Sequence, residues 1–457
     1  MLKKITLIVC CMALAALAAS TSAIGSSTSA ADTPSHFGRM FDDLPGFTTP
    51  TQQQLADLAQ TMLDPNLAVN DNVGLTSAFT YFGQFVDHDL TKDPLPSGVA
   101  ADPSTIENLR TFRFDLDSVY GGGPASSPQL YAADGEHFLL QESNVNGVRD
   151  LPRNPDGSAI LVEGRNDENE VISQIHTAFL KFHNTLIDGG ASFEEAQQET
   201  IHYYQWVVLH EFLPHVVGPD ALDAALQPGP RLYKPGNPHF PMTPVEFSVA
   251  AYRFGHTQVR KAYELNATTG KIQVFSFTAP DLRGGRELPA GRQIDWGTFL
   301  TSLHRPGLPL NVSRKIDTLI SSGLFALPIP GAAPTGSNVL AFRNMLRAGL
   351  YDMPSGQDVA RALGRPVITP EELDLGPGFE TGTPLWYYIL AESERAGGTQ
   401  LGPVGAQIVA EVMVGVMKSD KSSILRTNFI PLSPVAPAAG EFTLADFLVY
   451  AGVAVRP

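Results

Sequence analysis

The sequence predicts a mostly α-helical protein, folded as a single large helical domain with few short strands. Three observations lead to this fold class. Apolar residues recur at intervals of three and four along several segments, few stretches alternate with a period of two, and proline–glycine clusters separate the patterned segments. The chain has 457 residues, of which 43% are hydrophobic and 17% charged. This composition is typical of a globular protein with a sizeable core.

Three segments show the helical pattern most clearly. Their apolar side chains are spaced three or four residues apart, which places them on one buried stripe of a helix. The stripes are Leu75, Phe79, Phe82 and Val86; Val171, Ile175, Phe179, Phe182 and Leu186; and Phe247, Ala250, Phe254 and Thr257. Residues 386–391 and 408–417 also fit helices better than strands, and residues 443–450 are predicted to form the last helix.

Proline and glycine cluster in four places, at residues 94–103, 121–128, 227–244 and 328–336. Patterned segments lie on both sides of each cluster, so we interpret the clusters as loops within one domain. A chain of this length could also hold about three average domains, and composition alone does not decide between the two. We predict one domain over residues 32–457.

Residues 1–31 have the order of features of a secretory signal peptide. Lys3 and Lys4 precede an apolar run over residues 5–19, and small residues follow at 21–23 and 29–31. A membrane-spanning helix needs about 20 apolar residues, more than this run contains. An uncleaved membrane anchor is the alternative. The sequence therefore predicts a secreted protein, extracellular or periplasmic, without a stable membrane anchor.

Cysteine content and charge exclude several kinds of site. Cys10 and Cys11 both lie within the predicted signal peptide, so the mature chain would have no disulfide, thiolate nucleophile or cysteine metal site. The formal net charge is −16. An acidic surface repels phosphate backbones, and nucleic acid is therefore not an expected partner.

The first candidate site lies at residues 81–91, within the first apolar stripe. Gln84, Asp87 and His88 are spaced i, i+3 and i+4, so they share one face of a helix. Three polar groups in an apolar environment are costly unless they are paired or used. Taken alone, the segment fits a structural hydrogen-bonded cluster as well as a functional site.

Two further segments contain candidate residues whose simpler interpretation is structural. Arg165 and Glu168 precede a helix that contains His176 and the pair at residues 183–184. Glu168 alone is best interpreted as a helix cap, and the histidines as packed core residues. The same holds for His256 within residues 251–257, because its neighbours are aromatic and apolar.

Two weaker signals complete the set. Asn344 and Arg347 lie one helical turn apart, a spacing that alone indicates almost nothing. Residues 111–117 alternate oxygen-bearing side chains in a way that resembles a calcium-binding loop. The glycine and terminal glutamate of an EF-hand are missing, and a solvated acidic loop is the alternative.

Together and in this order, the five segments resemble the animal-type haem peroxidases of the peroxidase–cyclooxygenase superfamily. The family's Gly-Gln followed by Asp-His-Asp is matched by residues 83–89. Its Arg-x-x-Glu, leading to His-Thr and His-Asn, is matched by residues 165–184, and its Arg-Phe-Gly-His-Thr by residues 253–257. The resemblance extends over residues 71–417, and residues 350–357 and 385–417 look most like secreted bacterial members.

The resemblance implies a role for each matching residue. His88 would be the distal catalytic base, Gln84 the amide near the iron-bound ligand, and Arg165 the distal arginine. His256 would be the axial ligand of the haem iron, with Asn344 accepting its other ring proton. The remaining implied roles are haem propionate binding by Arg253 and Arg347, ester links to haem b through Asp87 and Glu168, and calcium ligation by Asp89, Thr111, Arg113 (through its carbonyl), Asp115 and Asp117.

Such an enzyme uses hydrogen peroxide to oxidise small electron donors, for example halides, thiocyanate or phenols, through a ferryl intermediate. A neutral imidazole can take a proton from peroxide and return it to the leaving oxygen. An arginine stays charged and supports the developing negative charge. A proximal histidine that is hydrogen-bonded at its other nitrogen is a better electron donor to iron. The expected cofactors are therefore haem b and Ca²⁺.

Two other functions stay open. Fatty-acid dioxygenases of the superfamily use a tyrosine three residues before the proximal histidine, where this chain has Arg253, and Tyr252 would point elsewhere on a helix. The other open function is that of a secreted haem- and calcium-binding matrix protein without catalysis. The presence of His88 and Arg165 argues against it. Asn169 stands where myeloperoxidase has a haem-linked methionine, so we do not expect chloride oxidation of that kind.

Overall fold

The computed structural model describes residues 35–48, 50–95, 99–142, 149–237, 239–278, 280–327 and 338–457. The chain divides into Met1–Asp32 and Thr33–Pro457, and the described residues all belong to the second unit. The predicted signal peptide, its two cysteines and the predicted loop at 328–336 lie outside the described residues, so those assignments stay predictions.

Helices dominate the described chain, which confirms the predicted fold class. The α-helices are α1 (Gln52–Thr61), α2 (Ser77–Leu90), α3 (Asp117–Tyr120), α4 (Gly123–Ser126), α5 (Glu170–Asp188), α6 (Phe193–Val207), α7 (Leu213–Val217), α8 (Pro219–Leu226), α9 (Gly255–Gln258), α10 (Ser322–Phe325), α11 (Leu340–Leu350), α12 (Gly356–Ala362), α13 (Pro370–Leu373), α14 (Leu385–Arg395), α15 (Pro403–Ser419), α16 (Ile424–Thr427) and α17 (Leu444–Tyr450). Single 3₁₀ turns lie at Ala68–Asn70, Pro103–Thr105, Pro128–Leu130, Gly164–Asp167, Ala251–Phe254, Trp296–Thr298 and Thr301–Leu303, and π turns at Val208–Phe212 and Glu246–Ala250.

The strands are few and short, as predicted. They are β1 (Phe37–Gly38), β2 (Asp71–Thr76), β3 (Gln141–Glu142), β4 (Arg149–Asp150), β5 (Gly236–Asn237), β6 (Phe240–Pro241), β7 (Thr243–Pro244), β8 (Ala262–Glu264), β9 (Lys271–Gln273) and β10 (Val312–Arg314). They form two-stranded pairs only: β1 with β7 in parallel, and β2–β10, β3–β4, β5–β6 and β8–β9 antiparallel. In the β2–β10 pair, Thr76 lies opposite Val312 and Asp71 opposite Arg314. This pair leads directly into α2.

The core forms where the predicted apolar stripes meet. Every residue of the three stripes is buried, although Leu75 lies in β2, before the helix begins. The rings of Phe85 on α2 and Phe179 on α5 stack with centroids 4.3 Å apart. Phe182, one turn further along α5, stacks at 4.2 Å on Phe447 of α17. α5 is thus held between α2 and α17, which fixes the position of α2 relative to the rest of the core.

The segment before His256 is helical but irregular. A π turn at Glu246–Ala250 is followed by a 3₁₀ turn at Ala251–Phe254 and then by α9. Each change of helical type alters the number of residues per turn and therefore the direction of the side chains that follow. Regular helical spacing predicts burial here correctly, but it does not predict which side chains face each other.

Two further observations concern the predicted elements. Asn169 caps α5, its side chain accepting hydrogen bonds from the backbone N–H groups of Val171 and Ile172. The cap predicted for Glu168 alone is therefore wrong, because its neighbour fills that position. Within the described residues, no helix is both long enough and apolar enough to cross a bilayer.

Candidate functional site

An interior cavity of about 480 Å³ brings the predicted distal and proximal segments together. This volume lies in the range of small-molecule and cofactor sites, about 300–1,000 Å³. Seven of the predicted site residues line it: Gln84, Asp87, His88, Arg165, Glu168, Arg253 and His256. They come from α2, from the turn before α5, and from the irregular segment that ends in α9. One cavity therefore brings together predicted site residues that are up to 172 positions apart in the sequence, from Gln84 to His256.

His88 is buried on α2, and one hydrogen bond holds its ring. Nδ1 lies 2.8 Å from Oδ1 of Asn166. An amide oxygen can only accept, so Nδ1 donates the ring proton and Nε2 is left unprotonated. Burial, followed by the charge of Arg165, lowers the pKa of His88 to about 3. The ring is therefore a neutral base at physiological pH.

Glu163 holds Arg165 at the edge of the cavity. Its Oε1 accepts hydrogen bonds from the backbone N–H and from Nε of Arg165, both at 3.0 Å. Nη2 of Arg165 also donates to the carbonyl oxygen of Thr91 at 2.5 Å. Burial acts to raise the pKa of Glu163, but Arg165 and then Lys92 lower it to about 2. The ionised carboxylate thus fixes both the position and the charge of the guanidinium.

Gln84, Glu168 and Asp87 meet inside the cavity. Nε2 of Gln84 donates to Oε1 of Glu168, and Nδ2 of Asn169 donates to Oε1 of Gln84 at 3.4 Å. Glu168 is accessible from the cavity but enclosed by protein. This burial raises its pKa to about 7, although Arg165 acts against it. Asp87 lies 3.7 Å from Nη1 of Arg165. The two carboxylates predicted to form ester links therefore face the same space.

His256 lies at the start of α9, with Asn344 of α11 behind it. Nδ1 of His256 is 2.8 Å from Nδ2 of Asn344, and Oδ1 of Asn344 accepts from Nη1 of Arg253 at 3.3 Å. The amide thus donates to the ring here, whereas the resemblance implied that it accepts. If the amide of Asn344 were turned by half a turn, its oxygen would accept from Nδ1–H of His256, and Nε2 of His256 would be unprotonated. Burial, followed by Arg253, lowers the pKa of His256 to about 3, so the ring is neutral, as a metal ligand must be.

Cations converge at one end of the cavity. Arg253 lines both the cavity and an adjoining cleft of about 220 Å³, which Lys92, Arg165 and Arg347 also line. Arg347 is paired with Asp93 at 2.8 Å, whereas the ion pairs of the described residues do not include Arg253. Burial, followed by the nearby Arg347, lowers the pKa of Arg253 to about 10. A ligand carboxylate placed here would relieve that repulsion.

Three carboxylates converge beside the end of α2. Oxygens of Asp89, Asp115 and Asp117 all lie within 4.8 Å of one another. Burial, followed by the charges of Asp117 and Asp115, raises the pKa of Asp89 well above its usual value, and burial raises that of Asp117 to about 7. Oδ1 of Asp117 is buried without a hydrogen bond. A divalent cation would supply the missing partner and cancel the repulsion.

The loop that carries two of these carboxylates also contains the other predicted calcium ligands. The hydroxyl of Thr111 donates to Oδ1 of Asp115 at 2.9 Å. The guanidinium of Arg113 forms an ion pair with Asp420 at 2.7 Å and lies 3.9 Å from Asp115 of the carboxylate cluster. Leu116 has a φ of 57°, a left-handed conformation that such side chains rarely adopt. The loop is thus turned tightly around the carboxylate cluster.

Several residues of the site were not predicted from the sequence. They are Glu163, Asn166 and Arg343, of which Arg343 lines the cavity. An acid two residues before Arg165 and an amide directly after it were the only available signals. The rest of the wall includes the apolar side chains Phe212, Phe254, Val259, Val274, Phe275, Leu324, Leu327 and Leu340.

Tyr252 and Gly83 join the proximal segment to α2. The phenol of Tyr252 donates to the carbonyl oxygen of Gly83 at 3.2 Å. A Cβ on Gly83 would lie 3.0 Å from the ring of Phe212, so glycine permits this close approach. The hydroxyl of Tyr252 is therefore occupied in a structural contact between the two segments.

Comparison with known proteins finds similarity to haem peroxidases. Residues 96–283 match the family "Animal haem peroxidase", a range that contains Arg165 and His256 and begins after His88. The chorion peroxidase of Drosophila melanogaster is 24% identical over 348 residues, which are 67% of this chain and 41% of that protein. The chain covers less than half the length of the first curated relatives that it matches.

Solved structures show the same fold. Peroxidase A from Dictyostelium discoideum matches with a TM-score of 0.64 at 17% identity, and the match covers 93% of this chain and 94% of that protein's chain. The fatty acid alpha-dioxygenase of Arabidopsis thaliana has a TM-score of 0.57 at 15% identity, covering 86% and 73%. At these identities the likeness establishes the fold alone, which is the haem peroxidase fold. The sequence matches show that residues 96–283, less than half of the chain, are similar to the animal haem peroxidases.

Proposed function

We propose that the protein is a haem-dependent peroxidase that uses hydrogen peroxide to oxidise a small electron donor. One observation carries the proposal. A single cavity contains His88 with an unprotonated Nε2, a second neutral imidazole on His256, and the charged guanidinium of Arg165. A proton acceptor, a metal ligand and a fixed cation are the three groups that this chemistry needs.

The residues of the cavity fit a haem. His256 would hold the iron through Nε2 once the Asn344 amide is turned so that its oxygen accepts from Nδ1, and Arg253, with Arg347 in the adjoining cleft, would meet the propionates. Asp87 and Glu168 are the carboxylates that we propose for ester links, and the apolar wall would cover the macrocycle. When bound, the haem supplies the iron that binds peroxide and takes up its oxidising equivalents.

The chain's own groups would move the proton and stabilise the charge. Nε2 of His88 takes a proton from hydrogen peroxide, because Nδ1 keeps its own proton for Asn166. Burial disfavours the resulting imidazolium, so His88 readily gives the proton to the departing oxygen. Arg165 stays charged throughout, and Glu163 keeps it in place while negative charge develops.

Three further properties belong to this proposal. We propose that Ca²⁺ binds among Asp89, Asp115 and Asp117, supported by their convergence and by the orphan oxygen of Asp117. We also propose secretion, supported by the features of residues 1–31. The proposed donors are halides, thiocyanate or phenols.

A survey of electron donors with the haem-loaded protein tests the function. We expect hydrogen-peroxide-dependent oxidation of a phenolic dye, iodide or thiocyanate, and a loss of about 100-fold or more in the peroxide reaction of His88→Ala. A haem-loaded protein that oxidises none of these donors would refute the proposal. The shared fold makes a fatty-acid dioxygenase the second candidate. Oxygen uptake with palmitate, in the absence of peroxide, would favour it.

A further inference from the structure

A buried chain of hydrogen bonds runs from His88 to a second histidine on α5. Oδ1 of Asn166 lies 2.8 Å from Nδ1 of His88, and Nδ2 of the same amide lies 2.9 Å from Nδ1 of His176. His88, Asn166 and His176 are 4%, 0% and 2% exposed. One amide therefore contacts both rings, with its oxygen toward the first and its nitrogen toward the second.

The direction of the amide determines which nitrogen of His88 carries the proton. With its oxygen toward His88, Asn166 accepts from Nδ1–H, and Nε2 keeps its lone pair. With the amide reversed, Nδ2 would donate to Nδ1, and the proton of a neutral His88 would move to Nε2. The reversed amide would therefore remove the free base from the cavity.

His176 lies on the nitrogen side of the amide. In the first direction its Nδ1 accepts the amide hydrogen and its own proton is on Nε2, whereas the reversed amide would require that proton on Nδ1. Burial keeps the ring neutral, lowering the pKa of His176 to about 3. The tautomers of His176 and His88 are therefore coupled through Asn166, without direct contact between the rings.

The backbone of Asn166 is held as firmly as its side chain. Its N–H donates to the carbonyl oxygen of Glu163 at 2.9 Å. The next residue, Asp167, accepts from Nη1 and Nη2 of Arg153 at 2.7 and 2.9 Å. The side chains of Arg153 and Asp167 are only 2% and 7% exposed. This bracing leaves the amide little freedom other than reversal.

We propose that Asn166 is a positioning residue, anchored by His176, that holds His88 in the tautomer with an unprotonated Nε2. The catalytic meaning of this assignment rests on the proposed peroxidase function. The tautomer itself is a property of the folded chain and can be measured separately.

Long-range ¹⁵N–¹H NMR of the full, haem-loaded chain, labelled with ¹⁵N-histidine, tests the assignment. The diamagnetic carbon monoxide complex is used, and His88→Gln identifies the His88 signals by their loss. We expect the wild-type ring to be protonated at Nδ1. Asn166→Ala should produce protonation at Nε2 or a mixture of tautomers, with a peroxide reaction slowed by about 10–100-fold.

Two variants separate positioning from a general structural effect. Asn166→Asp keeps an acceptor toward Nδ1 of His88 but cannot donate to His176, whose ring would then carry its proton on Nδ1. This variant should keep both the tautomer of His88 and most of the rate. Asn184→Ala is the matched control on α5, where it removes two hydrogen bonds to the backbone of Phe138, at 2.8 and 2.9 Å. It should change neither readout.

The proposal is overturned if wild-type His88 is protonated at Nε2, or if Asn166→Ala changes neither the tautomer nor the rate. If Asn166→Ala does not fold, the NMR spectra of the wild type and of Asn166→Asp decide the question. A haem-loaded wild type with the expected tautomer but no peroxide chemistry would refute the peroxidase function and leave the tautomer assignment intact.

Discussion

Glu163→Gln removes one buried negative charge from a position among three cations and leaves the shape of the side chain almost unchanged. Oε1 contacts Nε of Arg165 at 3.0 Å, and Oε2 lies 3.3 Å from Nζ of Lys92 and 3.8 Å from Nε of Arg110. Glu163 is fully buried. The substitution therefore tests the charge itself rather than packing.

The size of the effect follows from the pKa of Glu163. Burial alone would raise this pKa, but Arg165 and then Lys92 lower it from 4.5 to about 2. A shift of this size corresponds to about 3 kcal/mol. The side chains of Arg165 and Lys92 are each 32% exposed, so solvent screening reduces the contribution to about 2 kcal/mol.

The pH dependence has a definite sign. The pKa of Glu163 is lower in the folded than in the unfolded state, so its stabilisation is complete above about pH 4.5 and is lost as the pH falls through about 2. Glutamine does not titrate. The variant should therefore be about 2 kcal/mol less stable than the wild type at pH 7, and the difference should shrink below about pH 4.5.

Urea denaturation from pH 7 to pH 3.5 measures this difference in the free energy of unfolding. Glu195→Gln is the matched control, because Glu195 is an exposed residue of the α6 capping box, in which glutamine also functions. It should change stability by less than about 0.5 kcal/mol. Equal stability of Glu163→Gln and the wild type at pH 7 would refute the reasoning, and so would a difference that is independent of pH.

Three further predictions concern the haem and calcium sites. His256→Ala should lose most bound haem, seen as loss of Soret absorbance. His88→Ala should keep haem and react with peroxide about 100-fold or more slowly. If the two variants showed the opposite results, the roles assigned to His256 and His88 would have to be exchanged. After peroxide treatment a fraction of haem should resist acid–acetone extraction, because Asp87 and Glu168 both line the cavity, and complete extraction from active protein would show that no links form. Asp115→Ala should lower the free energy of unfolding by about 2 kcal/mol and slow the peroxide reaction, since it removes a carboxylate that accepts two hydrogen bonds and belongs to the proposed calcium site. Prolonged chelation should act in the same way, and metal analysis that finds no calcium in pure, active protein would contradict this prediction.

The helices that carry the site could be predicted from the sequence because helix burial is a local property. Successive apolar residues at intervals of three and four are buried wherever the helix packs, and this holds for α2 and α5. The candidate residues His88, Arg165 and His256 were likewise found from contiguous motifs. Their presence in one cavity was implied by a resemblance, and the fold brings them together.

The sequence by itself therefore determined the fold class, the main helices and the residues that carry the proposed chemistry. Only the tertiary structure decided which groups hold those residues in place. Glu163 reaches Lys92 across 71 positions, and Asn166 reaches His88 across 78. The contact between Asn344 and His256 and the π and 3₁₀ turns before His256 were also decided there. The physical reason is that a hydrogen bond or ion pair depends on the distance between atoms that distant segments bring together, whereas helical periodicity depends only on neighbours along the chain.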